Sequence, residues 1–332
     1  MKILRLSALL IALGLSLASC EKEEQPVTLP LKGKAEVARV DMGEDYTDQI
    51  FFDLETNAIV TTSATSSWDL AFETDAAGRH VFINGGNDIL VYNTHKQDIT
   101  NVSMPSGLTD KDWQMDSPHG LPDSTAIGNW CSPNGISKNE TYIIKLNPSL
   151  FPDTFKKIML VSVDAKSYIM SYGDLKGGEI KSITIPKDNN YNYTYFSFSD
   201  GGQVVHPEPP KNTWDIVFTR YRHIYYELDN FPYLVSGVLL NPYNTTCFED
   251  SAVGYQALDI NTISYATFTP FRDVIGYDWK TYNFDKSVYT VDPKKAFIIK
   301  NRKDHYWKLH FLDFYSDKGV KGSPSFEFER LQ

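Results

Sequence analysis

Residues 66–74 read SSWDLAFET, and residues 212–221 read NTWDIVFTRY. One chain thus writes Trp-Asp, two small or aliphatic residues and Phe twice. A Trp inside a strand, followed by Asp and three apolar residues, reads as a core anchor. Trp buries up to ~250 Å², and the Asp can satisfy a turn or neighbouring backbone N–H groups. The flanks repeat in the same order. QIFFDLETNAIV (49–60) precedes the first Trp-Asp and YTYFSFSDGGQVV (193–205) the second; AIGNW (126–130) answers VIGYDW (274–279). TYIIKLN (141–147) answers AFIIKNR (296–302), and FKKIMLVSV (155–163) answers YWKLHFLDF (306–314). Preserved order at similar spacing is the mark of an internal duplication.

The periodicity is that of strands. Tyr191, Tyr193 and Tyr195 alternate with Phe196 and Phe198 on the other side, and Phe326 and Phe328 alternate with Glu327 and Glu329. DAAG, NGGN, SDGGQ, PEPPKN and SDKGVKG punctuate the runs as turns. Only Pro148 to Phe155 admits a short helix. The expected class is all-β: two similar antiparallel β-rich modules in tandem, over 35–177 and 178–332, with the boundary at Gly177-Gly178.

The first 19 residues are set apart as a lipoprotein signal peptide. Lys2 and Arg5 precede an apolar run, Ala8 to Leu17, shorter than the about 20 residues a spanning helix needs. Leu17-Ala18-Ser19-Cys20 resembles a lipobox, which implies acylation of Cys20 and a stable membrane anchor. Residues 20–34 read as a flexible tether, and their acidic start, Glu21-Lys22-Glu23-Glu24, is similar to a surface-export signal of outer-membrane lipoproteins. The net charge of −10 and the lack of a basic stripe argue against nucleic acid as a partner. Cys131 and Cys247 remain, at non-equivalent places in the two halves, and their pairing stays open.

These residues resemble the HmuY family of haem-binding lipoproteins. The resemblance rests on TYFSFSDGGQVV leading into NTWDIVFTRY and on AFIIKNRKDHYWKLHFLDFY followed by SFEFERL. The first half carries WDLAFE and Phe82-Ile83-Asn84-Gly85-Gly86, similar to the family's Asn-Gly-Gly turn. It implies a surface haemophore that takes haem from host haem proteins and hands it to an outer-membrane transporter. Haem iron there sits between two axial side chains, histidines or, in some relatives, methionines, while aromatic and aliphatic side chains cover the porphyrin.

The family's ligands lie between the Trp-Asp strand and the terminal strands. In the second half that window, Tyr225 to Pro293, holds no His and no Met, leaving Tyr282 as a phenolate candidate. The first-half window holds His95, Met104, Met115 and His119, with Trp113 and Trp130 to cover a porphyrin. His206 and His223 stand beside the second Trp-Asp strand, outside the window, and His305 and His310 read as surface residues. No H-E-x-x-H, C-x-x-C, G-x-S-x-G, Walker or dinucleotide pattern points to an enzyme. The alternative is an HmuY-like scaffold without haem that binds a glycan or protein at the cell surface through Trp113, Tyr191, Tyr193 and Tyr243.

Overall fold

The computed structural model describes residues 37–331, so the signal segment, Cys20 and the tether lie outside the described residues. The first ten strands are β1 (Val37–Arg39), β2 (Asp48–Asp53), β3 (Ala58–Ala64), β4 (Leu70–Glu73), β5 (Val81–Ile83), β6 (Leu90–Asn93), β7 (Thr141–Lys145), β8 (Phe155–Val163), β9 (Ser167–Asp174) and β10 (Lys181–Pro186). The rest are β11 (Tyr193–Ser197), β12 (Gln203–Val205), β13 (Ile216–Tyr225), β14 (Phe231–Leu240), β15 (Thr246–Asp250), β16 (Lys280–Asn283), β17 (Val288–Val291), β18 (Ala296–Lys300), β19 (Tyr306–Tyr315) and β20 (Lys321–Arg330). All their pairings are antiparallel. The class is β-rich, as the alternation predicts. Pro148 to Phe151 form a turn rather than a helix, and β8 begins at Phe155.

Alternating side chains place the central strands β4 and β13 between two apolar layers. On β13, Ile216 and Phe218 enter a core with Phe52, Leu309 and Phe326, while Val217 and Tyr221 join Phe51 and Trp214 on the opposite face. On β4, Leu70 and Phe72 pack with Ile144, Tyr168 and Phe196, while Ala71 faces Phe82, Tyr193 and Tyr195. Four sheets result: β10-β9-β8-β7-β6 packs on β12-β11-β4-β5, and β1-β20-β19-β18-β15 packs on β14-β13-β2-β3. The outer faces of the two four-stranded sheets line one shared cavity, giving four layers in all. A separate two-stranded ribbon, β16 and β17, packs on β19, with the Tyr289 ring 5.0 Å from that of Phe314.

The sheets do not divide at Gly177-Gly178, where the sequence places the module boundary. Strands β10–β12 follow that point yet complete the sheets of β4–β9; β1–β3 precede it yet complete those of β13–β20. Each hairpin written just before one Trp-Asp strand pairs with the other. Leu70 and Ala71 oppose Phe196 and Tyr195, and Ile216 and Val217 oppose Phe52 and Phe51.

This exchange explains the repeated Trp-Asp. The Asp69 N–H donates to Phe196 O at 2.8 Å and the Asp215 N–H to Phe52 O at 2.9 Å. Asp69 Oδ2 accepts the Phe198 N–H at 2.7 Å, and Asp215 Oδ2 accepts the Leu54 N–H at 2.9 Å. Each carboxylate therefore holds a backbone N–H just past the pairing of the incoming strand. Each Trp meets that strand edge-on: Trp68 on Tyr195 at 5.0 Å and Trp214 on Phe51 at 4.8 Å. Asn84 and Asn241 repeat a further detail, donating through Nδ2 to Thr65 O and Trp68 O and to Lys211 O and Trp214 O.

The copies differ in one partner. Asp215 pairs with Arg302, whose Nη2 also meets Asp53 at 2.9 Å, whereas Asp69 has only neutral donors, the Phe198 N–H and Ser197 Oγ. Burial pushes both Asp69 and Asp215 up to about 6, the latter despite the charge of Arg302. Cys131 and Cys247 are both free and sit in different cores.

Candidate functional site

Two long connections fill matching places, 94–140 between β6 and β7 and 251–295 between β15 and β18. Pro105, Gly107, Pro118, Gly120 and Pro122 deny the first a strand. Asp116 fastens it instead: Oδ2 accepts the Ile83 N–H and Oδ1 the Ala126 N–H, both at 2.7 Å. The connection then reaches the other half. Arg272 N–H donates to His119 O at 2.9 Å, Lys111 pairs with Asp229 at 2.7 Å, and Ser117 Oγ lies 3.1 Å from Tyr226 Oη.

His119 is presented by this crossing. Its ring stacks on Phe271 at 4.2 Å and 15°, and Nδ1 lies 2.7 Å from Asp273 Oδ1. In the tautomer whose Nδ1–H donates to Asp273, the Nε2 lone pair is left for another partner. His119 lines an open cleft of about 650 Å³ with His223, Tyr225, Tyr277 and Tyr221. Five of the seven histidines, His80, His95, His119, His305 and His310, bond a carboxylate. His223 does not; it packs between Tyr225 at 4.8 Å and Tyr277 at 4.9 Å, whose hydroxyls lie 2.7 Å apart. Burial raises the phenols of Tyr221 and Tyr277, which keeps them protonated and makes them wall rather than phenolate. The carboxylates of the lining are Glu227, Glu249, Asp273 and Asp278, and no Lys or Arg joins them.

The remaining sequence candidates lie elsewhere. His95 is exposed and bonded to Glu140 at 3.0 Å, and Met104 is 38% exposed. Met115, half-buried, is not in the cleft lining, and Tyr282 packs on Phe284 and Tyr289 in the β16–β17 ribbon. Trp113 and Trp130 are buried in two different clusters of the first half and line neither cavity. His305 and His310, expected at the surface, are half-buried, bonded to Glu55 and Glu327. Sequence reasoning misses His223 because that residue stands outside the family's window. The signal for it is the alternation Tyr221-His223-Tyr225, which places all three on one face of β13.

A second, smaller cavity of about 120 Å³ lies between the two four-stranded sheets, walled by Phe51, Trp68, Phe82 and Tyr195. Glu208 is buried there, with Oε1 taken by Asn192 at 2.8 Å and Oε2 by the Tyr195 hydroxyl. Burial pushes Glu208 and Asp116 each up to about 7. A carboxyl raised in the folded state holds its proton where the unfolded chain has released it. Stability from such a group is therefore full below its ordinary pKa and falls as pH rises toward about 7. Glu208→Gln is expected to stabilise the fold by about 1–3 kcal/mol at pH 8 and by nothing at pH 4.5, read from urea midpoints. Equal destabilisation at both pH values would refute the assignment.

Among the described residues no group of three or more His, Cys, Asp or Glu could hold a metal ion by itself. No helix among them is long and apolar enough to cross a membrane.

Compared with known proteins, residues 45–184 match the family model described as HmuY protein, so this stretch is HmuY-like. No curated protein matches the chain. Among solved structures it is similar to apo PinO from Porphyromonas gingivitis, at 12% identity over 91% of this chain and 99% of that one, TM-score 0.26. An apo HmuY analog from Tannerella forsythia has 12% identity over 90% and 96%, TM-score 0.25. Likenesses this distant are no guide to function.

Proposed function

Starting from a chain whose residues 45–184 match the HmuY family, a family of binding proteins rather than enzymes, we propose that it binds haem or a related porphyrin in the open cleft between its two halves. One observation carries the reading: His119 from one half and His223 from the other line a single cleft of about 650 Å³, within the size range of cofactor sites. The donor set fits the group. Haem iron, when bound, offers positions that neutral imidazole nitrogens fill. His223 is held on a strand between two tyrosines, and His119 is oriented by Asp273 and Phe271. With no cation in the lining, porphyrin carboxylates are left to solvent.

The two candidate ligands differ in their backbone setting. His223 belongs to a ten-residue strand, whereas His119 rides an irregular connection. Local opening of that connection withdraws one ligand and leaves the other, which supplies a release step for transfer. Beside the cleft the β13–β14 turn exposes Tyr226, Leu228, Phe231 and Tyr233, each more than half exposed, a surface suited to protein contact. We take the recipient to be an outer-membrane transporter and the chain to be a surface lipoprotein anchored through Cys20. In the haem-free alternative, Trp113 and Tyr193 cannot stack on a sugar, because both are buried.

Haemin titration of residues 21–332, followed by absorbance, tests the reading. A saturable Soret shift at one equivalent is expected. A linear response like that of free haemin would remove haem from the account.

A further inference from the structure

We propose that the cavity between the two four-stranded sheets is a second ligand site, which takes a small organic carboxylate held by Arg272 and Arg220 with its short apolar body against Trp68 and Phe82. The site is distinct from the cleft in size, although Tyr221 lines both: about 120 Å³ is far too small for a porphyrin but near the ~150 Å³ of a cavity that accepts benzene.

Three cations meet here, and two of them are unmatched. Arg220, Arg222 and Arg272 all line the cavity. Arg222 is fully engaged, giving Nη1 to Ile89 O at 2.9 Å and Nη2 to Asp88 at 2.7 Å. The other two use only Nε, Arg220 toward Gly86 O at 2.9 Å and Arg272 toward Leu240 O at 3.2 Å. Among the described residues neither has a carboxylate partner. Neither carboxyl of the lining forms a salt bridge with them: the oxygens of Asp116 accept backbone N–H groups, those of Glu208 accept from Asn192 and Tyr195, and the Arg272 charge reaches Glu208 only through space. A partly buried guanidinium without an anion is unfavourable, and Arg is the side chain suited to grip a carboxylate by two parallel bonds.

The packing is built around these arginines. Gly120 sits at φ +68° with the Arg272 Cδ 2.4 Å from where a Cβ would be, and a Cβ on Gly86 would fall 2.3 Å from Arg220 O. The Pro-His-Gly bend thus admits the Arg272 side chain by lacking one of its own, and the Asn-Gly-Gly turn lets the β13 backbone approach at Arg220.

Calorimetric titration of residues 21–332 at fixed ionic strength tests the site with propionate, its neutral isostere propionamide, and inorganic phosphate. Propionate is expected to bind saturably, with a Kd no tighter than about micromolar for so few atoms. Propionamide and phosphate should each bind at least tenfold more weakly. Arg272→Gln should weaken propionate at least tenfold. Ala71→Leu, which fills the cavity and leaves every arginine in place, should do the same and carries the test if Arg272→Gln does not fold. Equal binding of propionate and propionamide, phosphate binding as well as propionate, unchanged binding to Ala71→Leu, or no saturable heat from propionate would each overturn the proposal and leave a water-filled void. The haemin response of the cleft is read separately and is expected to be unchanged in Ala71→Leu, whose residue does not line the cleft.

Discussion

Asp215→Ala is expected to cost about 3–5 kcal/mol of folding stability, against about 1–3 kcal/mol for Asp69→Ala. Both carboxylates hold the hairpin that arrives from the other half, through Leu54 N–H and Phe198 N–H. Removing either leaves a buried donor without an acceptor. At Asp215 a second loss is added, because Arg302, only 5% exposed, loses one of the two carboxylates that neutralise it. Asp69 has no cation to strand, its donors being the Phe198 N–H and the Ser197 hydroxyl. Urea denaturation of the two variants and of Asp215→Ala with Arg302→Met checks this. The double variant should recover part of the loss, since replacing a buried pair by apolar groups is often close to neutral. An Asp69→Ala cost equal to that of Asp215→Ala would show that Arg302 is not what separates the copies.

His119→Ala and His223→Ala are each expected to weaken haemin binding by about 100-fold or more, and Asp273→Asn by about 10–100-fold, the usual cost of losing an orienting carboxylate. Neither histidine is part of a main core, so the folds should survive. Asp273→Asn is the more telling variant. It leaves both imidazoles in place and alters only the group that fixes the His119 ring. His95→Ala, Met104→Ala and Met115→Ala should leave binding unchanged, because none of the three lines the cleft. A loss confined to those three would return the site to the first-half loop alone.

The strand class was legible because alternation is local. Leu70 and Phe72, or Ile216 and Phe218, declare their face whatever they pair with. Pairing was not legible. QIFFDLETNAIV stands directly before the first Trp-Asp strand, and adjacency in the chain suggests a hairpin partner there. The same aromatic-aliphatic pattern fits either Trp-Asp strand, and only tertiary contacts such as Arg302 with Asp53 decide which one receives it. His119 was legible as a donor in an irregular stretch. Asp273 and Phe271, which orient it, lie more than 150 residues away, and no spacing rule connects them. His223 is hidden for the opposite reason, since a histidine in a strand looks like packing unless a cleft is known to open over its face.

The measurement that bears most directly on the central claim is the low-temperature electron paramagnetic resonance spectrum of the ferric haem complex at one equivalent, for the wild-type chain and for His119→Ala and His223→Ala. The account predicts a low-spin signal of two imidazole ligands in the wild type, converted to high spin by either substitution. A low-spin wild-type signal that persists unchanged in both variants, or a high-spin signal in all three, would contradict it.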